Sequence, residues 1–231
     1  MTENIKTRFV VVTDSHWNQD QSYNDNLTGS LSLINDIHQE REIDFVVHNG
    51  DIVHDDENDH QEVINQFFSD LPVSSDDWYV VFGNHDWSTD SEWQSDYGQS
   101  KQHTFEYGDY GFIITNTAEP RTSDWYCADP NWIEDQIDGF SDKNGVFVFQ
   151  HIPPFYDDDE EHVGVDCPDV RAQFARNEVK GVFLGHNHDK NWVENWDGGK
   201  YLYCNRIGGS DLSGGVYDPA EYGLRVFDIN N

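Results

Sequence analysis

The 231-residue sequence predicts an α/β fold in which buried strands alternate with helices. Five short runs rich in valine and phenylalanine are bounded by glycine, asparagine or aspartate, which is typical of strands buried on both faces. Apolar side chains at helical spacing lie between the first three runs. The five runs span residues 9–12, 45–47, 78–82, 146–149 and 182–184.

The first half of the chain predicts a βαβαβ unit, because side chains that share a helical face recur three or four positions apart between the strands. These positions are Leu27, Leu31, Ile34 and His38 in the first helix, and Val63, Phe67 and Leu71 in the second.

The second half mixes hairpins with helices. The predicted elements are a hairpin at 103–107 and 112–115, a helix at 130–137 capped by Asp129, a helix at 170–177, a hairpin at 191–196 and 200–205, and a last strand at 223–229. No linker or internal repeat divides the chain, so we expect a single domain over residues 1–231.

The charge of the chain is extreme, since 45 acidic residues against 13 basic ones give a net charge of −32 at pH 7. A disordered acidic chain is the alternative, but 8 tryptophans, 14 phenylalanines and clear strand patterns argue for a core. Because salt at about 1 M shortens the Debye length to about 3 Å, such a surface suits a halophilic protein. The charge disfavours nucleic acid as a partner, since lysine and arginine usually meet phosphate backbones.

No stretch approaches the roughly 18 apolar residues of a membrane span, and the apolar stretch near Met1 is too short for a signal peptide. We therefore expect a cytoplasmic protein with no membrane partner. The cysteines, Cys127, Cys167 and Cys204, are widely separated and form no C-x-x-C pattern. We expect free thiols, with a bridge between Cys127 and Cys167 as the alternative.

Candidate metal ligands follow each of the five predicted strands. In chain order they are Asp14 and His16, Asp51, Asn84, His151, and His186 with His188. Open α/β sheets place ligands at the carboxyl ends of their strands, so five loops would converge on one edge. Side chains of aspartate, asparagine and histidine in these numbers suit two divalent cations.

Taken singly, most of these signals are weak. An Asp-x-His or Gly-Asp pair after a strand is more typical of a turn. The pair His186 and His188 is stronger, because alternation along an extended segment places both imidazoles on one side. All of the signals in order, each after a strand, predict a metal site.

The order of these blocks resembles the calcineurin-like metallophosphoesterase superfamily over residues 14–188. The blocks are Asp14-x-His16, Gly50-Asp51, Gly83-Asn84-His85-Asp86, His151 and Gly185-His186-x-His188. The resemblance implies a two-sheet sandwich flanked by helices, with mixed sheets and a binuclear metal centre at the strand ends.

The resemblance also implies a role for each residue. One metal would take Asp14, His16 and His188, the other Asn84, His151 and His186, with Asp51 bridging. His85 would be the general acid, positioned by Asp86.

Phosphoester hydrolysis requires these residue types. A carboxylate shared by two cations offers an oxygen to each, while the cations lower the pKa of a bridging water and hold the phosphate oxygens. A leaving alkoxide needs a proton, so a protonated His85 is worth about 10²–10⁴ in rate. Each ligating imidazole also needs an acceptor for its second nitrogen, which the sequence does not identify.

Further aromatic and acidic residues have simpler interpretations. Structural or surface roles are expected for His38, His48, His60 and His103. We expect His54 to lie in solvent within an acidic stretch, with the rim of the site as the alternative. Trp17 and Trp87 either wall the pocket or pack in the core. The 152–168 loop, with its acidic run at 157–161, is either a substrate lid or a solvated loop.

Two departures disfavour the purple acid phosphatase branch. The residue three beyond Asp51 is His54 rather than tyrosine, and Asp14 is followed by x-His rather than x-Gly. Mn²⁺, Fe²⁺/Fe³⁺ and Zn²⁺ are all open as metals. Residues 150–154 resemble small phosphodiesterases of the cyclic-nucleotide type, whereas residues 50–54 resemble the double-strand-break nuclease branch.

We therefore interpret the chain as a metal-dependent hydrolase of a small phosphodiester or phosphomonoester. A nuclease is the second hypothesis, and a non-catalytic scaffold with the same fold is the third. A scaffold typically loses ligands or the catalytic histidine, whereas His85 and every ligand position are present. Metal identity, the preference for mono- or diesters, the leaving group and the oligomeric state stay open.

The acidic surface predicts that stability depends on salt. We expect the midpoint of urea unfolding to rise between 0.1 and about 2 M KCl, because salt screens repulsion between surface carboxylates. Circular dichroism at fixed pH measures the midpoint. A midpoint that sucrose raises as much as KCl would contradict a charge effect.

Overall fold

The structure, a computed structural model, describes residues 5–122, 124–156, 164–188, 193–204 and 224–230. The strands in these ranges are β1 (Ile5–Val12), β2 (Phe45–His48), β3 (Trp78–Val80), β4 (His103–Tyr107), β5 (Tyr110–Ile114), β6 (Val146–Gln150), β7 (Val179–Leu184), β8 (Val193–Trp196), β9 (Gly199–Tyr203) and β10 (Arg225–Asn230). The helices are α1 (Gln21–Glu40), α2 (His60–Gln66), α3 (Asp90–Tyr97), α4 (Pro130–Gly139) and α5 (Pro168–Phe174), with a 3₁₀ turn at Phe68–Asp70.

The strands form two sheets. The first has the order β10-β1-β2-β3, and the second has the order β4-β5-β6-β7-β9-β8. Both are mixed, because β10 pairs antiparallel with β1, and β4 and β8 pair antiparallel with β5 and β9, while the inner pairs are parallel. The predicted α/β class with two mixed sheets is confirmed.

Alternation along β1 shows why the fold has layers. Phe9 and Val11 lie in the apolar cluster between the two sheets, whereas Val10 and Val12 lie in the cluster beneath the first helices. The Phe9 ring stacks on Phe45 at a centroid distance of 4.8 Å and meets Phe183 of the second sheet edge-on at 5.6 Å. Strands buried on both faces carry apolar residues at every position, as the sequence runs predicted.

The helices mostly follow the predicted pattern. Leu27, Leu31 and Ile34 of α1 are buried, and Asp129 caps α4 by accepting hydrogen bonds from the first backbone N–H groups. The second predicted helix is shorter than its apolar spacing indicated, since α2 ends at Gln66 and the chain continues as the 3₁₀ turn. Helix α3 was not predicted, although Thr89 caps it.

The cysteines correct one expectation. Cys127 and Cys167 form a disulfide, so the expectation of free thiols is wrong for this pair. Each cysteine lies just before a helix, Cys127 before α4 and Cys167 before α5, and these helices contact one another. A separation of 40 residues hides this proximity from the sequence. Cys204 is free and buried, as expected.

Some predictions fall on residues that the structure does not describe. Most of the acidic part of the 152–168 loop lies at 157–163, outside the described residues, so its role as a lid stays a prediction. The outer ends of the hairpin at 191–196 and 200–205 also lie outside them. Among the described residues, no helix has the length and apolar character to cross a bilayer.

Candidate metal centre

The predicted donors meet where the carboxyl ends of both sheets come together. Oδ2 of Asp51 lies 3.1 Å from Nε2 of His151 and 3.7 Å from Nε2 of His16. Oδ1 of Asp14 lies 3.4 Å from Nε2 of His188. The Nε2 atoms of His16 and His188 are 3.0 Å apart. Loops that follow β1, β2, β6 and β7 therefore supply side chains to one place.

The donors form two groups that share Asp51. The first group is Asp14, His16, Asp51 and His188, and the second is Asp51, His151 and His186. Within each group the candidate ligand atoms lie within 4.8 Å of one another. Apart from Asn84, which is in neither group, the donors are divided as the resemblance implies, and Asp51 is common to both groups.

Asn84, in the loop that follows β3, tests whether the candidate centre suits a metal. Its side chain is 2% exposed, and its Oδ1 accepts no hydrogen bond from any described residue. A buried carbonyl oxygen without a donor costs about 1–3 kcal/mol, so the residue needs a partner of another kind. A cation meets that need, and the donor set of carboxylate, amide oxygen and imidazole fits divalent metals.

The backbone is strained at four of the seven predicted donors. The φ angles are 53° at Asp14, 42° at His16, 52° at Asp51 and 66° at His186, all in the left-handed region. This region costs a non-glycine residue of order 1–3 kcal/mol, and such strain collects at functional sites. The packed surroundings must hold these loops in place.

Backbone pairing aligns the first two loops beyond the ends of their strands. The N–H of Asp14 donates to the carbonyl of Gly50 at 2.9 Å, and the N–H of His16 donates to that of Asp51 at 3.0 Å. Ser15 Oγ donates to the carbonyl of Ile52 at 2.8 Å, so it accepts from Nε2 of His48, also at 2.8 Å. The buried His48 is structural, as expected.

His151 has the acceptor that the sequence did not identify. Its Nδ1 lies 2.8 Å from the carbonyl oxygen of Asn49, which fixes the N–H on that nitrogen. Nε2 faces Oδ2 of Asp51 at 3.1 Å, and an imidazole held through its Nδ1–H in this way presents Nε2 to a metal once that nitrogen releases its proton. Glycine at position 50 allows the His151 ring to lie this close to the backbone, since a Cβ there would lie 2.4 Å from His151 Nδ1.

Asp86 does not contact the His85 ring, which corrects the predicted positioning role. The Asp86 carboxylate accepts backbone N–H bonds from Gly83 at 2.8 Å, Asp51 at 3.2 Å, Ile52 at 2.7 Å and Val53 at 3.2 Å. It therefore holds the Asp51 loop. The neighbouring side chains of His85 and Asp86 point to different partners.

Asp55 takes the place that was predicted for Asp86. Its Oδ1 lies 2.8 Å from Nδ1 of His85, and its N–H donates to the His85 carbonyl at 2.9 Å. The backbone of Asp55 is left-handed, with φ 58°, which turns the chain back towards His85. No spacing rule used on the sequence would have selected this residue from its acidic stretch.

His54 lies in the site rather than in solvent, so the expectation of exposure is wrong and the alternative of the rim is correct. Its ring stacks on that of His85 at 5.1 Å, with an interplanar angle of 19°. Its Nδ1 lies 3.2 Å from Nδ1 of His16. One of these two nitrogens carries the proton between them, so His54 is tied to a predicted ligand.

The other aromatic candidates support the fold. His60 contacts the Tyr97 hydroxyl at 2.7 Å and the Asp86 carbonyl at 2.6 Å, which secures the loop after β3. Trp17 is 3% exposed and belongs to the core, so packing is its role. His38 and His103 bind backbone groups, as expected of structural histidines.

Burial and charge oppose one another in the pocket. Burial lowers the pKa of His16 and of His186 to about 4. Burial also opposes protonation of His151, but the Asp51 and Asp14 carboxylates outweigh it and raise its pKa to about 10. Burial penalises the charge on Asp14 as well, yet His151 and His188 lower its pKa to about 2. The two carboxylates thus favour positive charge on His151, whereas burial keeps His16 and His186 neutral near pH 7.

The fold and the paired donor groups define a metallophosphoesterase. The chain belongs to the calcineurin-like phosphoesterase family, whose model matches residues 7–190. No curated protein sequence shows significant similarity to the chain.

Solved structures share the fold at low identity. A dimetal phosphatase from Danio rerio has a TM-score of 0.70 at 11% identity, with 90% of each chain covered. Purple acid phosphatase PPD1 from yellow lupin seeds has a TM-score of 0.58 at 17% identity, covering 97% of this chain and 48% of that one. GAP50, the anchor in the inner membrane complex of Plasmodium, has a TM-score of 0.60 at 15% identity, covering 98% and 82%. These likenesses show the fold alone.

The contact between Gly83 and Asp51 predicts a specific defect. A Cβ at Gly83 would lie 2.2 Å from Asp51 Oδ1 and 2.3 Å from its backbone nitrogen, so Gly83→Ala must displace Asp51. We expect metal affinity to fall about 10-fold or more, the usual range for residues that support ligands. Competition with a chelator measures it. Gly139→Ala, which meets nothing within 4 Å, is the control, and equal affinity in both variants would contradict the argument.

The buried histidines predict that metal-free protein loses stability in acid. The pKa values of His16 and His186 are lowered to about 4 and that of His48 to about 3, whereas an unfolded chain takes up these protons near pH 6.5. The unfolded state then binds more protons, so the free energy of unfolding falls as the pH drops from 6.5 towards 4. Each such proton contributes about 1.4 kcal/mol per pH unit.

Asp86 acts in the opposite direction within this window, because burial and Asp51 raise its pKa to about 7. Its folded form therefore keeps a proton that the unfolded chain releases, which reduces the slope by about one proton. Urea unfolding at several pH values measures the slope. His48→Gln should flatten it, and an unchanged slope in that variant would refute the assignment.

Proposed function

We propose that the chain hydrolyses a small phosphodiester or phosphomonoester at a two-metal centre. The shared position of Asp51, with one oxygen 3.1 Å from His151 Nε2 and 3.7 Å from His16 Nε2, carries the proposal. A carboxylate between two donor groups offsets charge on both cations and fixes their separation. The family and the complete donor set support this function.

The proposed ligands follow the two donor groups. Asp14, His16 and His188 would hold one ion, Asn84, His151 and His186 would hold the other, and Asp51 would be shared by both. Mn²⁺, Fe²⁺/Fe³⁺ and Zn²⁺ all accept these donors. The bound pair would supply a nucleophile at neutral pH and polarise the phosphoryl oxygens.

His85 is the proposed general acid. Its Nδ1 is held by the Asp55 carboxylate at 2.8 Å, so Nε2 is the atom that gives its proton to the leaving oxygen. His54, stacked on the ring, restricts its rotation.

A small substrate is favoured over a nucleic acid. The chain has 13 basic residues against 45 acidic ones, and a polymer would bring a long array of phosphates to this surface. The described ion pairs already occupy Arg8, Arg121, Arg171 and Arg176. A scaffold without catalysis is disfavoured because the ligands and His85 are all present.

Two properties of the whole chain accompany the proposal. A halophilic origin would explain the net charge of −32, and a single domain over residues 1–231 would fit the continuous fold. A cytoplasmic location stays a prediction, and the disulfide between Cys127 and Cys167 weighs against it, because reducing compartments rarely preserve disulfides.

Turnover by His85→Ala tests the acid. With a phosphoester of an ordinary alcohol in molar KCl, we expect kcat to fall about 10²–10⁴-fold, since the alkoxide leaves without a proton. With a p-nitrophenyl ester the loss should be smaller, because that leaving group is stable as an anion. Equal losses on both substrates would contradict the role. Asp55→Asn is the matched variant for the supporting contact.

Asp51→Asn tests the centre itself. We expect loss of bound metal together with loss of activity, because an amide offers neither the charge nor the second oxygen that two cations share. Elemental analysis of the dialysed protein gives the metal content. A wild-type chain that binds no metal and turns over none of a panel of mono- and diesters would refute the proposed function.

A further inference from the structure

We propose that Trp125 recognises the substrate of this site by stacking on an aromatic ring, so that nucleoside phosphoesters are preferred to esters of simple alcohols. This inference rests on the proposed phosphoester hydrolysis and names its substrate class.

Trp125 lies beside the second donor group. Its ring is edge-on to the imidazole of His186, with centroids 4.9 Å apart. The side chain is half-buried, so part of the indole is exposed while the ring also contacts a proposed metal ligand. Large aromatic surfaces at a polar site gain free energy when another ring covers them.

A short hairpin carries Trp125, and its base is firmly held. We call residues 117–122 and 124–126 the 117–126 hairpin. Ala118 and Trp125 form an antiparallel bridge, and the N–H of Tyr126 donates to the Thr117 carbonyl at 2.9 Å. Thr117 Oγ1 accepts from the N–H of Ile152 at 3.3 Å, which joins the hairpin to the loop of His151.

Two further sets of contacts hold the hairpin in place. Arg121 forms ion pairs with Glu57 at 2.8 Å and with Glu92 at 2.5 Å, which reach the loop of His54 and the start of α3. Cys127, the next residue after the hairpin, is joined to Cys167. A residue held from several sides keeps its position when substrate binds, which is what recognition by a fixed surface requires.

Stacking also suits the electrostatics of this chain. A surface with a net charge of −32 repels an anionic substrate, and molar salt would screen attraction from basic residues. Stacking between a base and an aromatic side chain does not depend on that attraction. Beside a pocket that holds the phosphate, an indole is therefore a suitable second point of contact.

The test compares substrates with and without a base that share the same leaving group. Adenosine 5′-monophosphate and ribose 5-phosphate share the same leaving oxygen, and the p-nitrophenyl esters of thymidine 5′-phosphate and methyl phosphate share the same phenolate. We expect wild type to prefer the nucleoside member. Trp125→Leu should lower the ratio of kcat/KM within a pair about 10-fold, and Trp125→Phe should restore most of it.

Metal content, measured in every variant, distinguishes two roles of Trp125. In the first Trp125 binds the base of the substrate, and in the second it only holds His186 in position. If Trp125 merely held His186, Trp125→Leu would lose metal and slow both members of a pair equally, leaving the ratio unchanged. That result overturns the inference, as does a wild type that prefers the members without a base. Absence of turnover on all four substrates, with other phosphoesters hydrolysed, overturns it as well. Absence of turnover on every phosphoester overturns the proposed function instead.

Discussion

Four backbone N–H groups converge on the buried carboxylate of Asp86, and the position of Asp51 depends on them. Three belong to the loop after β2 and the fourth to Gly83 after β3, so one side chain fixes two loops. An aspartate without these donors would be a costly buried charge. Because Asp51 belongs to both donor groups, a displacement of this loop would change the geometry of both groups.

The negative charges of buried and of surface carboxylates are offset in different ways. Asp14, Asp51 and Asp86 are fully buried and are offset by imidazole, by backbone N–H groups and, in the proposed function, by bound cations. The many surface carboxylates are offset by dissolved salt instead. Stability and site chemistry would therefore respond separately to ionic strength and to metal.

Local signals predicted much of the architecture. Apolar strand runs and the donor blocks after them are read directly from neighbouring residues, and six of the seven predicted donors, all but Asn84, fall in the two donor groups. The partners of His85 and His54 were missed, because a left-handed Asp55 reverses the chain and no periodicity encodes that turn. The disulfide depends on how α4 and α5 pack. Helix α3 is marked in the sequence by a local signal, because Thr89 and Glu92 have the spacing of the capping box that they form.

The left-handed backbone at Asp14, His16, Asp51 and His186 restricts these positions before any chemistry is considered. Aspartate, asparagine and histidine enter that region more readily than most residues, whereas valine or isoleucine would be severely strained there. A homologous chain that no longer binds metal would thus keep aspartate, asparagine or histidine at these four positions for conformational reasons alone. Retention of aspartate or histidine at these four positions in other chains is, by itself, weak proof of function, and Asn84, His151 and His188, which have ordinary backbones, are the more discriminating markers.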